Sequence, residues 1–389
     1  MTEITTTSIL EADLGAYGQR RLRQKPAAGR GRVMRRVVLG LLAILPLAAE
    51  EPLHEMGPFP TREMFPLYLP TMAYQPVDPV PLGQGHWRWS LHWVEANTFQ
   101  FSDILQNEGA LHDATGRIVI TRAFVESHLA QWKDVPVLYF FDEEIARFEL
   151  EGRYGLSDRT DLWFRFPVQN HTGGFLDPLI EDFHKIGFEQ FGRDKVLQNQ
   201  VTLVVIQHGK LVFYSDQRIL GKTQDPVLGL THRLLQTPKW TLSAAFSFKP
   251  PLTHTYDVYQ SGWDQTYGLT AQWRAATRHV FYFGGGYVHR PHGSPAYNSI
   301  GFRDGVGLHA TWEYRKWRKV QPFLQLYWQS GYLHPEPYQH FDQPSLQHDL
   351  GVYWHWTRRT TLTFHYMNNI THWGNTADMA LGASLTAHF

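Results

Sequence analysis

The stretch Asn170–His171–Thr172–Gly173–Gly174 sets an imidazole beside a hydroxyl, two ingredients of a hydrolytic site. A nucleophile must lie within hydrogen-bond reach of its base. Neighbouring side chains of a strand point to opposite faces, so Thr172 reaches His171 only where the strand has already broken. The competing reading is a structural histidine beside a loop. A second set of candidates is ionic. Arg88, Arg147, Glu149, Glu151, Arg153, Arg165, Arg274, Glu313 and Arg315 fall on one face of extended segments. They read either as a polar lumen lining or as ion pairs that brace a wall. Histidine is abundant, with 21 residues, and neutral imidazole is a common metal ligand. His289 and His292 are close in sequence, yet their spacing matches no tight ligand set, and no metal is expected. Gly284–Gly285–Gly286 lies within a strand pattern, where glycine permits a bend or a close approach. It is not a nucleotide loop, and no cofactor is expected.

What positions these residues is a period of two. Ala377, Met379, Leu381, Ala383, Leu385, Ala387 and Phe389 alternate with small or polar residues to the C-terminus. The same alternation runs through Val306–Tyr314, Trp240–Phe248, Leu324–Trp328 and Trp87–Trp93. Many apolar faces begin or end in Trp or Tyr, as the aromatic girdles of a membrane barrel require. The spacing predicts about twelve strands, near 85–100, 138–155, 159–169, 224–235, 239–250, 263–275, 278–290, 303–316, 319–333, 345–357, 360–371 and 375–389. The strand at 278–290 has two competing apolar faces, Phe281/Phe283/Tyr287 and Val280/Tyr282/Val288.

Connections between these strands alternate short and long, which matches short periplasmic turns and longer external loops with both termini periplasmic. In the hairpin turning at Ser157, mirrored pairing sets Arg153 against Asp161 and Glu149 against Arg165. The external connection that follows carries Asn170, His171, Asp177, Glu181, Asp182 and His184. Within it, 177–187 reads as a short amphipathic helix capped by Asp177, with Pro178 at its first position. Leu176, Leu179, Ile180, Phe183 and Ile186 form its apolar stripe, and Glu181, Asp182 and Lys185 its polar face.

The totals agree with an all-β transmembrane antiparallel barrel. Among 389 residues there are 14 Trp, 18 Tyr and 24 Phe, at zero formal net charge. Nothing in that balance argues for nucleic acid. Cysteine is absent, so no disulfide or thiolate metal site is needed. The run 37–49 follows Arg35–Arg36 and ends in Ala48–Ala49, the layout of a secretory signal over 34–49. Residues 1–33 read as a start placed upstream of initiation at Met34, or as a disordered extension. Residues 50–84 are expected as a periplasmic segment, and 85–389 as the barrel.

Several stretches resemble a family of Gram-negative outer-membrane barrels catalogued as a domain of unknown function. They are Gly57–Pro58, Phe65–Pro66–Leu67–Tyr68–Leu69–Pro70, Gly152–Arg153–Tyr154–Gly155–Leu156–Ser157–Asp158–Arg159, Gly173–Gly174–Phe175–Leu176–Asp177 and Ile180–Glu181–Asp182–Phe183–His184. The resemblance spans residue 57 to the end and implies a barrel and an outer-membrane location, with no activity attached. Asn170–Gly174 also resembles, loosely, the Asn-His-x-Ser-Asn-Gly stretch of outer-membrane phospholipase A, but Gly173 stands where the serine would be. The leading expectation is a channel or transporter for a small solute. A lipid hydrolase using His171 and a non-conducting structural barrel are the alternatives. The expected partners are outer-membrane lipids and the barrel-assembly machinery, the latter through the strand ending in Phe389, with oligomeric state left open.

Overall fold

The computed structural model describes residues 55–102, 105, 111–112, 114–186, 192–252, 262–291, 302–333, 341–371 and 375–389. The expected signal sequence, the extension before it and His292 lie outside these residues. In chain order the strands are β1 (Trp87–Phe101), β2 (Leu111–His112), β3 (Ile118–Val119), β4 (Val137–Ser157), β5 (Thr160–Thr172), β6 (Thr202–Gln207), β7 (Lys210–Ser215), β8 (Ile219–Thr223) and β9 (Val227–Gln236). They continue as β10 (Trp240–Lys249), β11 (Asp264–Ala276), β12 (His279–His289), β13 (Gly305–Tyr314), β14 (Val320–Gln329), β15 (Ser345–His355), β16 (Thr360–Thr371) and β17 (Met379–His388). Among the described residues two α-helices of a turn or more join them, α1 (Arg122–His128) and α2 (Leu176–His184).

Twelve of these strands close a ring. β1 pairs with β4, β4 with β5, β5 with β9, each later strand with the next, and β17 returns to β1, all antiparallel. The alternation read from the sequence becomes two faces. Phe166, Phe246, Leu269, Leu308, Leu326 and Phe364 are exposed outward. At the end of the barrel with short turns, Trp87 packs on Tyr154 with ring centres 4.6 Å apart, and Trp240 stacks on Trp273 at 5.6 Å. These indoles form the girdle that an amphipathic ring seeks at a membrane surface. Among the described residues no helix is long and apolar enough to cross a membrane; here the strands make the span. β12 settles its two faces in favour of Val280, Tyr282 and Val288 inside, with Phe283 and Tyr287 exposed.

Two local readings are corrected. In the β4–β5 hairpin, Glu151 opposes Arg165 and Glu149 opposes Pro167, a shift of two residues from the mirrored register. A bulge between Gly155 and Ser157 inserts the extra residue. Because the shift is even, every side chain keeps its face, and Arg153 still reaches Asp161 diagonally at 2.6 Å. In α2, Asp177 is not the cap and Pro178 is not the first helical residue: the helix begins at Leu176, with Phe175 preceding it. Burial does not follow its apolar stripe. Asp177 and Glu181 are buried along with Leu176 and Ile180, whereas Leu179, Phe183 and Ile186 are exposed along with Asp182 and Lys185.

The largest correction concerns residues 55–84, expected as a periplasmic segment ahead of the barrel. They lie inside it. Glu55 pairs with Arg274 and Arg315 at the turn end of the wall. The chain rises past Gln325, which bonds the Phe59 N–H and carbonyl at 3.0 and 2.8 Å. It turns in a short 3-10 helix at Pro66–Tyr68 near the loop end, where Phe65 and Tyr68 pack on Phe141, Tyr332 and Phe341. It then descends past His309, Thr270 and Ser243 to Asp161. No strand of the sheet comes from this segment.

A cation on the lipid face tests the placement. Leu269 sits midway along β11 and points outward. Leu269→Arg is expected to cost about 2–4 kcal/mol at the bilayer midplane, measured as the drop in unfolding free energy from lipid vesicles, with Leu269→Ala costing far less. Equal costs for both substitutions would contradict a lipid-facing β11.

Candidate functional site

The lumen is the site that the wall, the plug and the charged residues share. Each of the nine ionic residues singled out from sequence meets a partner there. Asp78 of the plug takes Arg88 at 2.9 Å, and Arg88 lies 3.5 Å from Glu151. Glu151 takes Arg165 at 2.8 Å, Arg165 lies 3.7 Å from Glu149, and Glu149 takes Arg147 at 2.5 Å. Arg153 joins Asp161, and donates to the carbonyls of Asp78 and Val80 at 3.1 and 3.0 Å. Four guanidiniums and four carboxylates thus form one buried ladder over β1, β4, β5 and the plug. At the turn end Arg274 and Arg315 hold Glu55, and Glu313 accepts from the Tyr282 hydroxyl at 2.9 Å. Buried charges are tolerated when each is paired. The void beside the ladder measures about 40 Å³, room for only a few waters at roughly 10–15 Å³ each.

Apolar contacts between plug and wall are equally specific. Tyr74 lies in a cradle of glycines on the inner faces of β12 and β13. A Cβ on Gly286 or Gly307 would sit 2.6 Å from Tyr74 atoms, and one on Gly284 would sit 2.8 Å from its hydroxyl. That hydroxyl meets His309 Nδ1 at 3.0 Å. The glycine run therefore provides the close approach, and the approaching group is the plug. This alternation of inward glycines is the sequence signal that could have revealed a lumen occupant.

Residues of the external connection fold across the loop end. Glu144 caps α2, accepting from the Phe175, Leu176 and Asp177 N–H groups at 2.8, 2.6 and 3.2 Å. This requires Gly174, whose φ is +55° and whose Cβ would lie 1.7 Å from the Glu144 carboxylate. Asp177 pairs with Arg193 at 2.6 Å, and Arg193 also binds Asn97 at 2.8 Å and Asp378. Arg117 holds Glu181 at 2.7 Å. Asn170 accepts the Gly221 N–H at 2.7 Å, while Asp182 is exposed and pairs with Lys185 at 2.8 Å. The ring of His184 lies edge-on to Phe183, with centres 5.9 Å apart. The structural elements between 111 and 223 other than α2 and the barrel strands carry no strong period, and sequence reasoning read them as loop.

The hydrolase geometry is not formed. β5 runs unbroken through Thr172. His171 points inward to Glu143 at 3.0 Å, while the Thr172 hydroxyl accepts the Gly174 N–H at 3.0 Å. His289 pairs with Asp304 at 3.1 Å, and no group of three or more metal-ligating side chains gathers among the described residues.

Two substitutions probe how the plug is held. Gly307→Leu intrudes on Tyr74 and is expected to expose residues 55–86 to a protease added to the refolded protein while the barrel stays intact; full protection would sink the cradle. At the turn end, burial raises the Glu55 carboxyl, but the hydrogen bond and charge of Arg274 and the charge of Arg315 hold it net below the usual range. Such a group contributes above its unfolded pKa, and the contribution fades as pH falls through the lowered one. Glu55→Gln should therefore loosen the segment at neutral pH, as acidification does in the unaltered protein, and the cleavage rate before Trp87 reports both.

The fold has a solved counterpart. The chain is similar to an outer-membrane channel of the COG4313 group from Pseudomonas putida F1, at 10% identity and a TM-score of 0.51, covering 82% of this chain and 100% of that one. A FadL homologue from Pseudomonas aeruginosa aligns at 10% identity and a TM-score of 0.34, over 86% and 99% of the two chains. The NanC porin aligns at 9% identity and 0.39, over 63% and 93%. No functionally curated protein matches the sequence. The family model begins after β1, so it leaves out the plug, although the motifs at 152–159, 173–177 and 180–184 fall within it. Over residues 123–389 the chain matches the model described as protein of unknown function DUF3187, and it belongs to that family.

Proposed function

We propose that the protein is an outer-membrane channel or transporter for a small solute, shut in this conformation by residues 55–86. The apolar outer face and its Trp girdle place it in a bilayer, and a barrel of this kind belongs to the outer membrane. Outer-membrane lipids cover that face, and the final strand ending in Phe389 is the segment offered to the barrel-assembly machinery. One observation carries the reading: the lumen is filled by a separate segment that contributes no strand to the wall. A narrow barrel of about eight strands fills its interior with its own side chains. Twelve strands enclose more, and here the surplus is taken by a piece of chain attached through discrete side-chain contacts.

Charge gives the open state a polarity. Residues 55–84 carry Glu55, Glu63 and Asp78 against Arg62 alone. Their withdrawal takes three carboxylates and one guanidinium from the lumen, which leaves Arg88, Arg274 and Arg315 facing water. The open pore should prefer anions over cations of equal size, which the reversal potential in a salt gradient reads.

Because the chain has no native cysteine, a disulfide lock is clean. The Thr61 and Asp349 side chains touch across the lumen. In a planar bilayer, Thr61→Cys combined with Asp349→Cys is expected to be silent when oxidised and to conduct, like the unaltered protein, after reduction. If both proteins stay silent at every voltage in reductant, the channel reading fails and a non-conducting barrel takes its place.

A further inference from the structure

At the loop end the wall changes strand partners. β4 pairs with β5 over Glu144–Ser157 but with β6 over Val137–Asp142. β5 carries β9 along Thr160–Arg165 and β8 along Val168–His171. The sheet order ends at β7 on one side and β8 on the other, so each has an outer edge with no strand neighbour among the described residues. Beneath this seam lies a cavity of about 20 Å³. Phe141, Leu203, Phe213 and Ile219 wall it, and Leu67 and Leu69 of the plug tip close it from inside the lumen.

Its polar lining is unusual. Gln169 is 0% exposed, and neither its Nε2 nor its Oε1 has a hydrogen-bond partner. Glu143, also 0% exposed, gives one carboxylate oxygen to His171 and has no partner for Oε1. Buried polar groups are nearly always hydrogen-bonded, and exceptions mark strain or a ligand. Here one donor and two acceptors without partners converge in a pocket whose remaining lining is apolar apart from His171, Ser215, Gln217 and Gln224.

We propose that this cavity binds a small uncharged amphipath, an aromatic or short aliphatic molecule carrying a hydroxyl or primary amide. The head group must donate to Glu143 Oε1 or Gln169 Oε1 and accept from Gln169 Nε2, which a hydroxyl or an amide does and a hydrocarbon cannot. A carboxylate would face Glu143 and is rejected. The body rests on Phe141 and Phe213. As it stands the cavity holds a water or two, so a ligand enters only by pushing Leu67 and Leu69 aside. Binding is thereby coupled to withdrawal of the plug tip: the ligand favours the state in which the tip has moved, by its difference in affinity for the two. The inference rests on the gated-channel reading for that coupling, but the site itself is testable without it.

Calorimetry of the full-length protein refolded in detergent micelles, with benzyl alcohol as probe, tests the site. Saturable binding is expected, with benzoate and toluene each at least about tenfold weaker. Gln169→Leu should weaken benzyl alcohol by about tenfold or more and raise the melting temperature, since it replaces an unpartnered buried amide with an apolar group of similar size. That gain in stability separates a ligand site from a structural role, for which the substitution would lower the melting temperature. Absence of saturable binding, or equal binding by the unaltered protein and Gln169→Leu, overturns the site. In bilayers, benzyl alcohol should lengthen open times of the unaltered protein and not of Gln169→Leu. A protein that conducts without binding the probe sinks the site and leaves the channel. One that binds it with this selectivity and never conducts upholds the site and sinks the channel.

Discussion

A ring of twelve strands encloses more volume than its inward side chains can fill, and that geometric surplus governs the rest of this molecule. Were the lumen open to water, Arg88, Glu149, Glu151 and Arg165 would simply be solvated. With residues 55–86 inside, the same groups lose water and must find partners. They do so in a ladder whose charges balance only because the plug brings Asp78. Removing one member of a buried pair costs about 3–5 kcal/mol, mostly because the remaining charge is stranded. The wall and plug are therefore tied together electrostatically, and neither set of side chains is satisfied without the other. The apolar clusters repeat this logic. Four of the five buried apolar clusters among the described residues include plug residues: Phe65 with Tyr68, Met64 with Leu69, Met72 with Tyr74, and Phe59.

This explains which parts of the fold were legible in the sequence. A strand with lipid on one side and polar groups on the other writes its period directly, and all twelve wall strands lie within a few residues of their expected bounds. The plug writes no period. It is rich in proline, pairs with no strand, and buries residues on all sides, so nothing in 55–84 alternates. Its trace is indirect. Inward Val280, Tyr282 and Val288 made β12 ambiguous because a filled lumen accepts apolar side chains that a watery one would not. The glycines at 284, 286 and 307 carry the same message, since they leave the room that Tyr74 occupies. The two-residue error in the β4–β5 register has a local cause. A bulge at the turn cannot be seen from charge pairing alone when an alternative pairing of equal sign exists two residues away.

The burial of Asp177 and Glu181 in α2 has a different origin. At this end of the barrel the outward side of β1 and β4, which carries Asn97 and Glu144, meets the helix in a charged junction. Glu144 caps the helix, Arg193 gathers Asp177, Asn97 and Asp378, and Arg117 takes Glu181. Asp177 and Glu181 are therefore buried together with Leu176 and Ile180, while Leu179 and Phe183 are exposed. The reading of the segment as helical survives because its period is local, whereas its cap, supplied by Glu144 of β4, and its burial depend on what surrounds it.

Attachment by discrete contacts rather than by strand pairing bears on how such a plug behaves. A strand added to a sheet edge is held by a repeating set of backbone bonds, and release must undo them together. Here the points of attachment are of three kinds at three heights: the Glu55 clasp at the turn end, the Asp78 ladder with the Tyr74 cradle at mid-height, and the Phe65–Tyr68 tip near the loops. The tip is the one whose contacts are largely apolar, and it borders the seam where β4 exchanges β5 for β6. Moving the tip strands no ion pair, whereas moving the middle strands several. A graded opening that begins at the tip and leaves the ladder closed is thus the least costly departure from the shut state. The wall seam, the unpartnered Gln169 and the tip lie together at the place where that departure starts.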